Sequence, residues 1–281
     1  MGGGVFTGSP RLLLRSAPWA VCVLLVKLLL QLAGWEPLEL SPLLTGTIAA
    51  EVFIVGFLLA GVSADFKEAE RLPGEVAASL ETIADECLII RQEHRLPEAE
   101  MCLSDLLALG RSIREWLARN RGFDEVMADL RALNTYFIAF TPIQAGYTQR
   151  LKGEQANLRR LVIRMDTMRR TSYVAAGYLI AEVTAAVLFV ILALTDLGAM
   201  APTLVLVGVV SYLLIYMLRL IRDLDNPFEY ADGTPGAADV SLDVLIHHEQ
   251  RMKELIAEAR VLIESDQIVE TTPDGVPENH L

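Results

Sequence analysis

The sequence contains few of the residues from which catalytic and metal sites are usually built. Its 281 residues include only three cysteines and four histidines. Cys22, Cys87 and Cys102 lack metal-ligand spacing, and their odd number does not suit a disulfide framework, so we expect reduced, packed thiols. Adjacent His247 and His248 do not share one helical face. With no Ser/His/Asp constellation, phosphate loop or zinc spacing, the sequence predicts neither an enzyme nor a zinc protein.

A basic surface is also missing. The net charge of −12 is concentrated in residues 223–281, which contain 14 acidic residues and three Lys/Arg, whereas residues 66–172 contain 16 of each kind. A nucleic-acid partner is therefore not expected. An acidic C-terminal segment of this kind is typically a solvated surface that keeps the protein soluble.

Apolar residues are abundant: they make up 53% of the chain. They form four stretches, at residues 17–34, 43–64, 173–194 and 201–218, each long enough to cross a hydrocarbon core of roughly 30 Å. The first could instead be a cleaved signal peptide, but Lys27 interrupts it and no small-x-small cleavage site follows. The sequence therefore predicts an all-α membrane protein with four transmembrane helices.

The Lys/Arg residues predict the orientation of these helices. Basic clusters precede the first and third stretches and follow the second and fourth, while the loops at 36–42 and 196–201 carry acids and no base. The positive-inside rule places every basic cluster in the cytoplasm. We therefore expect a multi-pass protein of the cell membrane with both termini cytoplasmic.

This topology divides the chain into membrane and cytoplasmic parts. Residues 17–64 and 173–218 form the two transmembrane pairs, and residues 1–16 form a cytoplasmic N-terminal segment. Residues 65–172 predict a cytoplasmic helical bundle, with a helix opening at Pro73. In residues 219–281 we expect one helix, from about 242 to 264 and capped by Ser241, followed by a disordered tail.

Three ionisable residues interrupt the apolar stretches: Lys27, Glu51 and Glu182. Each lies about 8–10 residues from its predicted membrane boundary, and an unpaired charge at such depth costs several kcal/mol. We expect Lys27 to pair with Glu51, Glu182 or both. Such a pair either fixes the helix packing or forms a polar station on an ion path.

The second stretch has two different faces. On a helical wheel Glu51 lies on one side, and Phe53 and Phe57 lie on the opposite side with several alanines. Small residues permit close helix approach, and stacked apolar rings can form a dewetting constriction in a channel. The pattern alone allows either simple packing or a pore lining.

Two short motifs resemble the bestrophin family and its bestrophin-like relatives. The sequence VFIVGFLL at residues 52–59 is similar to the family's Phe-x-x-Gly-Phe neck segment, and DNPFE at 225–229 is similar to its Asn-Pro-Phe stretch. The order of spans and cytoplasmic parts also agrees. The family's Arg-Phe-Pro signature is absent, and ADFKEAE at 64–70 replaces the aromatic, basic segment that follows the neck. The sequence therefore resembles a divergent member.

The resemblance implies a pentameric ion channel, typically conducting anions such as chloride, with the second span lining the pore. Phe53 and Phe57 would be neck residues, with Ala49 replacing a bulkier apolar residue one turn earlier. Asp65 and Glu68, near the inner mouth, would favour cations if they faced the conduit. The alternative is a non-conducting membrane protein whose helical cytoplasmic domain serves assembly or sensing.

The resemblance also suggests a calcium-binding site after the fourth span. In calcium-gated members the acidic stretch after the fourth span helps to hold the ion. Here Asp223, Asp225, Glu229 and Asp232 offer oxygen ligands suited to a hard cation. The run of consecutive acids is missing, so a solvated acidic turn is the competing interpretation.

Overall fold

The computed structural model describes residues 10–143, 145–170, 175–228, 230 and 239–270, and this part of the chain is predominantly helical. Its elements are α1 Pro10–Leu32, β1 Leu38–Glu39, α2 Pro42–His94, α3 Pro97–Leu117, α4 Phe123–Ala132, α5 Asn134–Phe140, α6 Ala145–Arg170, α7 Ala175–Leu194, β2 Thr195–Asp196, α8 Met200–Leu224 and α9 Asp243–Glu270. Segments of four helices, α1, α2, α7 and α8, are long and apolar enough to cross a membrane. The all-α membrane fold is thus confirmed.

Helix α2 continues without a break from the second apolar stretch to His94. The prediction that Pro73 opens a new helix was therefore wrong. A proline inside a helix removes one hydrogen bond and costs about 3 kcal/mol. Its neighbours Leu72, Val76 and Ala77 are buried, and burial of several apolar side chains outweighs a cost of that size.

The chain forms two compact units. The first comprises Met1–Glu70 and Thr167–Val240, within the described residues. Its core lies where one face of α2 packs against α7 and α8, and residues such as Val55, Leu58, Leu188 and Leu214 are buried there. Beyond the helices, Leu38 and Glu39 pair in parallel with Thr195 and Asp196, a connection between two loops that the sequence did not predict.

The second unit comprises Arg71–Asp166 and Ser241–Leu281, again within the described residues. Here α3 packs against α4, α5 and α9. Leu133 separates the two short helices α4 and α5. Ser241 precedes α9, and its Oγ accepts a hydrogen bond from the Asp243 amide at 3.1 Å. Residues 271–281, predicted to be a disordered tail, lie outside the described residues.

Candidate functional site

The two faces of α2 differ sharply in exposure. Glu51 and Val55 are only 3% and 2% exposed, whereas Phe53 and Phe57 are 73% and 67% exposed. Ala49 is exposed as well. Because the buried side chains pack toward α7 and α8, the exposed side forms a continuous stripe of phenylalanine and small residues along the apolar part of α2. The described part of a single subunit leaves this stripe uncovered.

The stripe ends at a lysine. Lys67 is exposed, while Asp65 and Glu68 are half-buried. At 3.6 residues per turn, Lys67 follows Phe53 by roughly 3.9 turns and so lies on nearly the same side of the helix. Asp65 is rotated from Phe53 by about a third of a turn and Glu68 by about a sixth. Measured from Phe57, however, Glu68 is rotated by only about 20° and Lys67 by about 80°. Of these three charges, the exposed one is positive.

Lys27 does not pair with either expected carboxylate. Its Nζ donates to Glu36 Oε1 at 2.5 Å and to the Thr195 carbonyl at 2.5 Å, with the Ala193 carbonyl at 3.5 Å. The expectation of a pair with Glu51 or Glu182 was wrong because Lys27 lies one to two turns before the end of α1. The ammonium therefore reaches the loop acid and the end of α7.

Glu182 pairs instead with Arg222 of α8. Helices α7 and α8 are antiparallel neighbours, so the beginning of α7 lies beside the end of α8. Glu51 faces the helix core, where its Oε1 has no hydrogen-bond partner among the described residues. The three charges thus occupy separate environments and do not form the common polar station that the sequence suggested.

The Asn-Pro-Phe segment after α8 is a packed turn. Phe228 and Tyr230 are almost fully buried. The Val240 amide donates to the Pro227 carbonyl at 2.9 Å, and the Tyr230 hydroxyl donates to the Val240 carbonyl at 3.0 Å. Burial raises the pKa of the Tyr230 phenol, and the charge of Asp239 raises it further. These contacts connect the segment after α8 to the residues that precede α9.

Two of the four proposed calcium ligands can be placed. Asp223 is exposed and Asp225 is half-buried, while Glu229 and Asp232 lie outside the described residues. Across the described parts of the chain, no group of three His, Cys, Asp or Glu side chains could hold a metal ion. The calcium site stays a prediction.

Buried polar side chains connect α9 to α2 and α3 within the second unit. Glu249, which is 7% exposed, accepts a hydrogen bond from Arg114 Nε at 2.6 Å. His248 is fully buried and its Nδ1 lies 3.1 Å from Glu81 Oε1. Sequence reasoning missed these contacts, although His248 lies between Leu245 and Met252 on the apolar face of α9. The position of His248 on that apolar face could have indicated that its side chain is buried.

Acidification is expected to weaken the contact between α9 and Glu81 of α2. Burial alone would raise the pKa of Glu81, but hydrogen bonds from His248 and Arg251 outweigh it and hold that pKa below its usual value of 4.5. A carboxyl with a depressed folded pKa contributes stability above its unfolded pKa and loses it as the pH falls through the folded value. Amide hydrogen exchange of α9, corrected for intrinsic rates, should therefore accelerate below pH 4.5.

The Glu81→Gln variant provides the control for this prediction. Its α9 should exchange faster than the wild type at neutral pH, and its protection should fall less on acidification. The same pH dependence in the variant and the wild type would contradict the role of Glu81.

Comparison with known proteins identifies the architecture. No protein-family model matches the chain, and no curated protein matches it in sequence. One structure of a bacterial bestrophin homologue from Klebsiella pneumoniae matches with a TM-score of 0.69 and 16% identity, over 92% of this chain and 100% of the other. A second, from the same organism, gives 0.70 and 15%, over 88% and 98%. This chain has a bestrophin-like fold. A crystal structure described only as a membrane protein matches with a TM-score of 0.71 and 15% identity, over 84% and 97%.

The bestrophin-like fold confirms the expectation drawn from the two short motifs. At this level of identity the similarity establishes the fold and does not establish the roles of individual residues. Together with the four apolar helices, the fold identifies a membrane protein.

Proposed function

We propose that this protein is the subunit of an oligomeric ion channel in the cell membrane, with α2 lining the pore and both termini in the cytoplasm. The observation that carries the proposal is the exposed stripe of α2, on which Phe53 and Phe57 project away from the subunit's own core. An apolar constriction of this kind can gate a conduit by dewetting. The bestrophin-like fold supports the same assignment.

The proposal requires several copies of the chain. One α2 helix cannot enclose a conduit, but a symmetric ring would bring equivalent stripes together around an axis. A Cβ added at Gly46 or Gly56 would meet no heavy atom within 4 Å in the single subunit. Small residues at such positions allow neighbouring helices to approach closely. A pentamer is the assembly implied by the resemblance to bestrophins.

We infer that the conduit carries anions. Lys67 is exposed and nearly aligned with Phe53, whereas Asp65 and Glu68 are half-buried, although Glu68 lies close to the side of Phe57. A ring of lysines at the inner end of the stripe would attract anions and repel cations. A cation preference would require the half-buried Asp65 and Glu68 to outweigh the exposed Lys67 at the same end of the stripe.

Current through the purified protein in a planar bilayer under an asymmetric KCl gradient tests this function. Discrete openings whose reversal potential lies toward the chloride equilibrium potential are expected. Openings that reverse near the potassium equilibrium potential would contradict the anion assignment. A correctly folded ring that passes no current, with calcium present or absent, would favour the assembly or sensing module.

Reversing the charge of Lys67 should shift this selectivity. In Lys67→Glu the inner ring becomes negative, so the reversal potential should move toward that of potassium by at least about 10 mV, since rings of charged side chains set the sign of the preferred ion. Lys253→Glu, at an exposed position on α9, makes the same change in net charge and should leave the reversal potential unchanged. An equal shift of the reversal potential in both variants would contradict the placement of Lys67 in the conduit.

A further inference from the structure

The first unit contains a groove that the proposed pore does not use. It lies between α1, α7 and α8 and has a volume of about 390 Å³. Side chains from all three helices line it, so a single subunit forms the groove. The α2 stripe contributes none of its lining residues.

One end of the groove is charged. Arg222 of α8 pairs there with Glu182 of α7, and Arg219 Nη1 donates to the Arg15 carbonyl at 2.6 Å. The Arg222 side chain is 71% exposed despite its partner. Each guanidinium carries five N–H donors, so these bonds leave donors for a ligand. Two guanidinium groups against one carboxylate give this end a net positive charge.

The other end of the groove is apolar. Phe189 follows Glu182 by seven residues on α7, and Ile215 precedes Arg222 by seven residues on α8. Seven helical residues span about 10 Å. Because α7 and α8 are antiparallel, Phe189 and Ile215 lie at the same end, where Val23 of α1 joins them. The polarity therefore changes from cationic to apolar along the length of the groove.

This gradient matches a phospholipid. Trp19, 61% exposed, borders the groove, and indoles of membrane proteins concentrate at the headgroup level. The positive-inside orientation places the arginine end in the cytoplasmic leaflet, where acidic lipids are attracted to basic pockets between transmembrane helices. A free phosphate ion would leave the apolar end unexplained.

We propose that the groove binds one acidic phospholipid of the inner leaflet. Its phosphate contacts Arg219 and Arg222, and an acyl chain follows Val23, Phe189 and Ile215 toward the bilayer interior. The net positive charge of the arginine end selects an acidic headgroup over a zwitterionic one. This site is independent of conduction, so its test and the test of the channel can succeed or fail separately.

Native mass spectrometry of the full chain tests the proposal with equimolar dioleoyl phosphatidylglycerol and dioleoyl phosphatidylcholine. The wild type should retain phosphatidylglycerol at least about fivefold more than phosphatidylcholine, the scale expected for one or two basic groups. Excess inorganic phosphate should not displace the lipid. Equal retention of both lipids would overturn the proposal. Displacement by phosphate would reduce the site to an anion site and would also overturn it.

Two variants assign the headgroup contacts. Arg219→Gln, and the charge-balanced double variant Glu182→Gln with Arg222→Gln, should each lower the preference at least about twofold. The double variant leaves no unpaired carboxylate in the membrane, so a folding defect is not expected. Arg131→Gln, at an exposed arginine of the second unit, is the matched control and should keep the preference. Unchanged preference in both groove variants would overturn the assignment.

A third variant tests the apolar end. Val23→Trp fills part of that end and keeps both arginines, so it should lower retention of phosphatidylglycerol at least about twofold, because it excludes the acyl chain. If a folded Val23→Trp variant retains phosphatidylglycerol as well as the wild type does, the acyl chain does not occupy the groove and the proposal is contradicted.

Discussion

Replacing Lys27 with methionine is expected to lower the free energy of unfolding by about 3–5 kcal/mol, the cost typical of breaking a buried ion pair by removing one partner. Lys27 is fully buried, and the Glu36 side chain is only 12% exposed. The substitution leaves that carboxylate and the Thr195 carbonyl without the ammonium that each now contacts. Reversible unfolding in detergent, monitored by circular dichroism, measures the loss.

Two further variants separate the ion pair from the general loss of a polar residue. Gln31→Met lies one turn later on α1 and removes only a 3.4 Å contact to the Gly198 carbonyl, so it should cost less than about 1 kcal/mol. The double variant Lys27→Met with Glu36→Gln should recover part of the loss, because the unpaired charge has gone. A Lys27→Met variant as stable as Gln31→Met would show that the buried pair has no structural role.

Phe53→Ala should change the channel far more than it changes the fold. With 73% of Phe53 exposed, its removal sacrifices little packing within the subunit. If the ring narrows the conduit, alanine should raise single-channel conductance about twofold or more, or shorten the closed intervals, because a wider and less apolar constriction dewets less readily. Single-channel recording and size-exclusion chromatography measure the two effects.

Leu29→Ala is the matched control for this experiment. Leu29 is 65% exposed on α1, and the substitution removes apolar surface from a helix that does not carry the proposed pore stripe. Its conductance should equal that of the wild type. Wild-type conductance in a well-assembled Phe53→Ala channel would contradict the claim that the Phe53 side chain lies in the ion path.

Most of the membrane fold could be predicted from the sequence because the bilayer restricts it to long apolar helices. The helical wheel also placed Glu51 and Phe53 on opposite sides of α2, and the structure shows one buried and the other exposed. Periodicity was informative here because one helix face packs and the other does not. The two motifs at 52–59 and 225–229 indicated the bestrophin-like fold despite an identity near 15%.

The charge pairs could not be predicted because they depend on where each helix ends. Lys27 was expected near the middle of the membrane, but α1 ends at Leu32 and the following loop brings Glu36 within 2.5 Å. Glu182 and Arg222 are forty positions apart in sequence, and only the antiparallel packing of α7 and α8 brings them together. Pro73 was misleading because local propensity does not include the burial of its neighbours.

Cysteine accessibility at α2 tests the central claim, that the Phe53 face lines the conduit, most directly. The background is Cys22→Ser, since Cys22 is exposed whereas Cys87 and Cys102 are buried. Single cysteines replace Phe53 or, as the control on the packed face, Val55, and a membrane-impermeant charged methanethiosulfonate is added during bilayer recording. We predict that the reagent alters current through Phe53→Cys channels and leaves Val55→Cys channels unchanged. Modification of the Val55→Cys current alone, or an unaffected Phe53→Cys current, would contradict the account.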